Sequence, residues 1–360
     1  MTRSEDFQRK LEKVRDLLSR KELRGVLITQ RHNFAWATAG GRNYVGITSE
    51  TGAAWLWIDQ RRVLLVANNI ETPRVLDEEL VDLGVGLRQF DWWQMPGPGD
   101  VARELGGEHA ATDVALASEF AELRSTLGDY EMGLYRKLGS DCGAAVGDVA
   151  RSVRRGESEN DIAGRLAERL FSQGIVPVVL LVAADERVDR YRHPLPTGTQ
   201  VDRKAMLVVC GMRHGLIASV TRLVHFGAVT EDLRRRHQAV TYVDAVAISE
   251  TRPGKTGADV FAAIKRAYTE AGFPDEWRNH HQGGATGYQS REWKATPKSS
   301  NTVHKNQAFA WNPSIAGTKS EDTILVTEQG VEVLTATPDW PLVKQQVGDF
   351  AIERPDILEL

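Results

Sequence analysis

Two stretches of the 360-residue chain concentrate side chains able to do chemistry. They are His280-His281-Gln282-Gly283-Gly284-Ala285-Thr286-Gly287-Tyr288 and Asn312-Pro313-Ser314-Ile315-Ala316-Gly317-Thr318-Lys319-Ser320-Glu321-Asp322. A glycine beside a histidine carries no Cβ, so backbone and ligand can approach closely there. Imidazole titrates near neutral pH, which makes His281, and also His193 before Pro194, candidate general bases. Each has a plainer reading, His281 as a hydrogen-bonded core histidine and His193 as a turn residue. Glu321 would be costly to bury unpaired, and Lys319 and Arg222 are partners of the right type. Cys210 lies in an apolar run, the setting of an inert thiol rather than a nucleophile. Arg291 and Glu292 read as a solvated pair just past the glycines.

The elements that must carry these groups follow from periodicity. Phe7, Leu11, Val14 and Leu18 recur at helical spacing, with Glu5 and Asp6 in the first turn. Strands are expected at 25–29, 53–58, 63–66, 86–90 and 113–116, with a helical stretch around 72–80 and a loop at 96–99. Strands alternating with helices indicate an α/β domain over the first third. Beyond it the pattern predicts a long helix over 130–154, and a helix opened by Ser158-Glu159-Asn160-Asp161. Strands follow at 176–182, 205–210 and 216–226, then helices near 231–250 and 258–271, then strands at 308–312 and 323–327.

A chain of this length exceeds the usual single-domain size of about 100–200 residues, so two domains are expected, 1–121 and 122–360. The formal net charge of −4, with both signs spread along the chain, argues against a nucleic-acid surface. Cys142 and Cys210 form no disulfide framework or zinc spacing, which suits a reducing cytoplasm. The N-terminus lacks a signal-peptide pattern, and the longest apolar run, 175–184, is far short of the ~20 residues that span a bilayer. A cytoplasmic protein with no membrane partner is the expectation.

Several landmarks fall in one order: Tyr191-Arg192-His193-Pro194, then Gly215 and Ser219-Val220-Thr221-Arg222, then His281 with its glycines, Asn312-Pro313, and Glu321-Asp322-Thr323. This order resembles the pita-bread family of prolidase, aminopeptidase P, creatinase and methionine aminopeptidase. The first third, with Thr29-Gln30-Arg31-His32-Asn33-Phe34, resembles the creatinase-type N-terminal domain. The resemblance implies an α/β N-terminal creatinase-like domain followed by an α+β pita-bread domain, commonly in a homodimer. It also implies a nominal activity, that of an Xaa-Pro dipeptidase or aminopeptidase P.

In that family two aspartates, a histidine and two glutamates hold two divalent metals. Carried over, these positions are Val208 or Cys210, Ser219, His281, Asn312 and Glu321, so Glu321 is the only carboxylate retained. Two divalent ions about 3.5–4 Å apart need several carboxylates to offset their repulsion. The expectation is therefore no dinuclear centre, and at most one weakly bound divalent metal.

What remains is a pocket suited to a metal-independent C–N hydrolase acting on a small peptide, amide or amidino substrate. His193 or His281 would move the proton and Glu321 would bind or polarise the substrate. Arg222, Asn312 and Tyr288 would orient it. Two alternatives stand beside this, a non-catalytic ligand-binding pseudoenzyme and a conventional metallopeptidase. The latter would draw on Asp185, Asp189, Asp202, Asp244 or Glu292.

Overall fold

Thr2 opens the first helix, Arg3–Arg20: its hydroxyl accepts the Glu5 N–H, and the Glu5 carboxylate accepts the Thr2 N–H in return. The computed structural model describes residues 1–360. Two compact units are present, one of Met1–Leu134 with His214–Leu216, the other of Tyr135–Arg213 with Ile217–Leu360.

The first unit is built on a five-stranded sheet. Its order is Gly86–Phe90, Val63–Asn68, Thr51–Asp59, Gly25–Gln30, Ala110–Thr112, with parallel pairs at the two edges and antiparallel pairs between. Two expectations fail here. The last strand is Ala110–Thr112, and 113–116 is a turn. The Asp113 carboxylate instead accepts the N–H groups of Thr29 and Gln30, the Thr29 hydroxyl and the Asn33 amide. The glycine-proline loop gives way at Pro98 to a helix, Pro98–Gly106, because proline at a helix start loses no hydrogen bond. Trp36 and Trp57 are core residues, whereas Trp92 and Trp93 lie exposed against each other, edge to face.

The second unit carries the candidate site. One sheet runs Leu358–Glu359, Leu216–His225, Lys204–Arg213, Val176–Ala184. Another runs Trp293–Lys294, Gly283–Thr286, Ala308–Trp311, Asp322–Thr327, Gly330–Val333. Helices Glu231–Glu250 and Gly257–Glu270 join Val240, Val243, Val260, Ile264 and Tyr268 to Phe309, Trp311 and Ile324 in one core. The Gly283–Thr286 strand and the C-terminal hairpin Leu342–Val347/Phe350–Pro355 carry weak hydrophobic alternation and are absent from the expectations above. No helix is long and apolar enough to cross a membrane.

A buried ionic chain links strands Leu216–His225 and Asp322–Thr327 to helix Glu231–Glu250 and the C-terminal hairpin. Arg222 pairs with Asp322 at 2.9 Å, Asp322 with Arg354 at 2.8 Å, and Arg354 with Asp244 at 2.7 Å. The Ser320 hydroxyl also donates to the Asp244 oxygen that Arg354 engages, and the Thr335 hydroxyl to the Asp322 oxygen that Arg222 engages. Charges buried this completely are tolerated only with such pairing.

Candidate active site

The histidines come from two segments. His193 follows the short helix Glu186–Arg190, and His280 and His281 follow the turn Glu276–Arg278. The second segment is fixed by Gln282, whose side-chain amide donates to the carbonyls of Trp277 and His280. The Tyr268 hydroxyl sits within hydrogen-bond reach of Gln282 Oε1, the Ser314 carbonyl and the Ser314 N–H. Gly283 and Gly284 then serve strand packing rather than ligand approach. A Cβ on Gly283 would fall 2.8 Å from Trp311 Cα and against the Ala310 carbonyl, and one on Gly284 against the Trp293 carbonyl.

Three imidazoles meet. His193 Nε2 and His280 Nε2 are 3.2 Å apart, and the ring centroids of His280 and His281 are 4.6 Å apart. His280 Nδ1 lies 3.2 Å from Ser314 Oγ, and its Nε2 lies 3.4 Å from the Asn312 amide nitrogen. The amide can only donate, so the network assigns the His280 proton to Nδ1 and leaves Nε2 an acceptor. In that tautomer His193 Nε2 carries a hydrogen toward the same nitrogen, where it shares one lone pair with the Asn312 amide, and the His193 lone pair lies on Nδ1. His280 is buried, His281 half-buried and His193 exposed. His281 Nδ1 and Asn312 Oδ1 are buried without a hydrogen-bond partner.

The field at this cluster is positive. Burial, then Arg291, Lys294, His193 and Lys319, push His281 down to about 4. Burial and Lys319 lower His193, with Glu321 opposing, and burial and Lys319 also lower His280. All three rings are therefore neutral at physiological pH.

Glu321 is buried, and both its oxygens are engaged. Oε2 accepts from Lys319 Nζ at 2.6 Å and from the Thr221 hydroxyl at 2.7 Å, while Arg291 reaches Oε1 at 3.3 Å. Burial alone would raise this carboxyl, but Lys319 and Arg291 overcome it and hold it below the ordinary glutamate range. Arg291, read from sequence as solvated, is thus a mostly buried partner of Glu321. Arg222, offered as the other partner, is not. Its donors go to Thr337, the carbonyls of Thr221 and Thr335, and Asp322, which leaves it holding strands together rather than facing a substrate.

Cys210 and Ser219 face each other on adjacent strands, Sγ to Oγ 3.2 Å, and burial followed by Glu321 raises the thiol. Val208 is core, packed among Leu181, Met206 and Leu223. Tyr288 is buried, and its N–H donates to Glu292 Oε1. Of the other carboxylates considered as ligands, Glu292 stays beside Tyr288, Asp202 lies 3.8 Å from Arg155, and the remaining three are held elsewhere. Asp185 accepts the N–H groups of residues 202–204, Asp189 pairs with Lys204, and Asp244 pairs with Arg354.

This architecture is the creatinase/prolidase pita-bread fold. The chain belongs to metallopeptidase family M24, whose family model matches residues 133–328. An uncharacterized peptidase of Staphylococcus epidermidis is 30% identical over 196 residues, 51% of this chain and 54% of that protein. An Xaa-Pro dipeptidase of Pyrococcus horikoshii is 22% identical over 229 residues, 60% of this chain and 64% of that protein. In these alignments the chain spans about half to two thirds of the length of the curated relatives it matches. Among solved structures, the prolidase from Pyrococcus horikoshii superposes with a TM-score of 0.76 at 16% identity, covering 91% of this chain and 98% of that one.

Proposed function

We propose that this M24 protein works without the family's dinuclear metal centre, as a hydrolase of C–N bonds in a small amide or amidino compound. The observation that carries the reading is the pairing of Glu321. It is the one carboxylate among the family ligand positions, and Lys319 and Arg291 already neutralise it. Two divalent ions need anions around them, and here buried Lys319 and the mostly buried Arg291 stand at the one carboxylate of those positions. Ser219 and Cys210 face each other with neutral atoms, and Asn312 brings an amide. This donor set does not fit two metal ions.

The same residues suit proton chemistry. His193 Nδ1 takes the proton as water adds to the amide or amidine carbon. His193 Nε2–H stays bonded to His280 Nε2, which orients the ring and supports the imidazolium. As the C–N bond breaks, His193 returns the proton to the leaving nitrogen. Lys319 and Arg291 supply fixed positive charge for the oxygen or nitrogen that becomes more negative as the tetrahedral carbon forms. His281 Nδ1 and Asn312 Oδ1, both without a partner, are groups for a substrate to satisfy.

The test is release of amine from Xaa-Pro dipeptides and small amidino and amide compounds by chelator-treated protein. Turnover that survives chelation and disappears in His193→Ala is expected. Activity that appears only with added manganese or cobalt would overturn the reading in favour of a conventional dipeptidase. Tight binding of a compound without any product would overturn it in favour of a ligand-binding protein.

A further inference from the structure

We infer that His193, His280 and His281 form a mononuclear site for a transition-metal cation of the zinc class, which shares His281 with the family's ligand positions but uses none of its carboxylate positions. Each ring offers one nitrogen, and the three nitrogens lie within 4.8 Å of one another. Two nitrogens bound to one tetrahedral zinc at about 2.0–2.1 Å stand about 3.3 Å apart. His193 Nε2 and His280 Nε2 are already 3.2 Å apart. Rotation of the exposed His193 ring and of the half-buried His281 ring would close the remaining gaps, while buried His280 is held by Ser314.

Two further observations point the same way. His280 Nδ1 is tied to Ser314 Oγ, which leaves Nε2 as the lone-pair nitrogen, the arrangement outer partners impose on metal-bound histidines. His281 Nδ1 is a buried nitrogen without a hydrogen-bond partner, and a metal would satisfy it. Three imidazoles with no thiolate or carboxylate among them favour zinc, copper or nickel over magnesium or calcium. Lys319 and Arg291, which share the Glu321 carboxylate, oppose a further cation, so an anion such as chloride or a carboxylate suits the fourth position.

Metal binding at His193 Nε2 requires the neutral ring's one proton to shift to Nδ1. The lone pair assigned above to proton transfer is then gone, so bound zinc blocks turnover. That consequence rests on the proposed hydrolase reading; the binding itself does not.

The experiment is equilibrium dialysis of the full chain, stripped with chelator, against Zn2+ and then Co2+, with elemental analysis and a visible spectrum. One equivalent of zinc is expected, with Co2+ giving the intense ligand-field bands of a tetrahedral site and no thiolate charge-transfer band. His193→Ala and His281→Ala, both checked for native circular dichroism, each weaken binding by at least about ten-fold. No retained metal, two equivalents per chain, a thiolate band, or binding unaltered in both variants would overturn the site. If zinc binds as stated but no hydrolysis is found in its absence, the site stands and only the hydrolase reading falls.

Discussion

Lys319 Nζ stands 2.6 Å from Glu321 Oε2, two residues away in the chain, with both side chains buried. Arg291 approaches the other carboxylate oxygen. Removing one member of a buried pair leaves an uncompensated charge, at a cost of about 3–5 kcal/mol. Lys319→Met should therefore lose about 3 kcal/mol in urea unfolding, the low end because Arg291 remains. The pH dependence gives a second readout. Glu321 is held below its ordinary value of 4.5, so its stabilisation is present above that value and is lost as pH falls through the lowered one. Lys319→Met should flatten this acid-side loss, and an unchanged acid limb would contradict the assignment.

Arg354 serves two carboxylates, Asp244 and Asp322, at 2.7 and 2.8 Å. Replacing it with methionine brings two anions face to face, with Arg222 left to compensate only Asp322. The expected loss is about 3–5 kcal/mol in denaturant. Asp244→Asn in the Arg354→Met background should recover part of it, because the orphaned anion is gone. Strict additivity of the two changes would show that the ionic chain does not exist in solution.

How much of this was legible in sequence depends on the range of the interaction. The Ser158 capping box, the 231–250 helix and the 86–90 strand rest on neighbours within a few residues, and they stand as read. Lys319 beside Glu321 was legible for the same reason. Arg291 on Glu321 joins residues thirty positions apart, and no periodicity marks that contact. His280 was in view, but nothing local says that His193 would lie 3.2 Å from it. The place of Arg222 is not legible locally, because its burial depends on Asp322, Thr335 and Thr337, all far along the chain.

His193→Ala should lower kcat by about 10²–10⁴, the usual contribution of a positioned acid–base group, without changing the unfolding midpoint, since the ring is exposed. Ser314→Ala acts one step removed. It frees His280 Nδ1 and should shift the pH profile of kcat rather than abolish turnover. Cys210→Ser should leave kcat within about two-fold, because a buried thiol with a raised pKa supplies no nucleophile at neutral pH. Loss of activity in Cys210→Ser with His193→Ala active would reverse the roles given to these residues.

His237 links the helix Glu231–Glu250 to two later segments. Its Nε2 lies 2.9 Å from the Pro355 carbonyl and its Nδ1 2.6 Å from Thr318 Oγ1. The carbonyl requires an N–H at Nε2, and in the neutral ring that burial favours Nδ1 accepts from the threonine hydroxyl. Burial lowers its pKa, against the Pro355 carbonyl and Asp356, which raise it. The unfolded chain therefore binds a proton as pH drops below the ordinary value of 6.5 while the folded chain resists, and stability falls on acidification. The slope this group contributes is at most about 1.4 kcal/mol per pH unit. His237→Gln should lower stability at neutral pH yet flatten the slope just below pH 6.5, measured by thermal unfolding across that range.

Gly283 has φ of +103°, a backbone conformation that a side chain disfavours, and its missing Cβ makes room for the Ala310 carbonyl and Trp311 Cα on the neighbouring strand. Gly283→Ala therefore combines backbone strain with a clash against backbone atoms, which cannot swing aside as a side-chain tip can. A loss well above 1 kcal/mol is expected, since substitutions that the native backbone cannot accommodate exceed the ~0.4–1 kcal/mol gained at compatible sites. The clash also includes Asn312 Oδ1, at 2.9 Å from the added carbon. Asn312 approaches His280, so any variant that does fold should bind zinc more weakly than the parent chain. Gly287→Ala is the control. Its nearest neighbour is the Glu292 carboxylate, the far end of a flexible side chain, at 3.4 Å, and it should be near neutral in both measurements. Equal effects at Gly283 and Gly287 would show that the run of glycines matters for chain flexibility rather than for the packing of the Gly283–Thr286 strand.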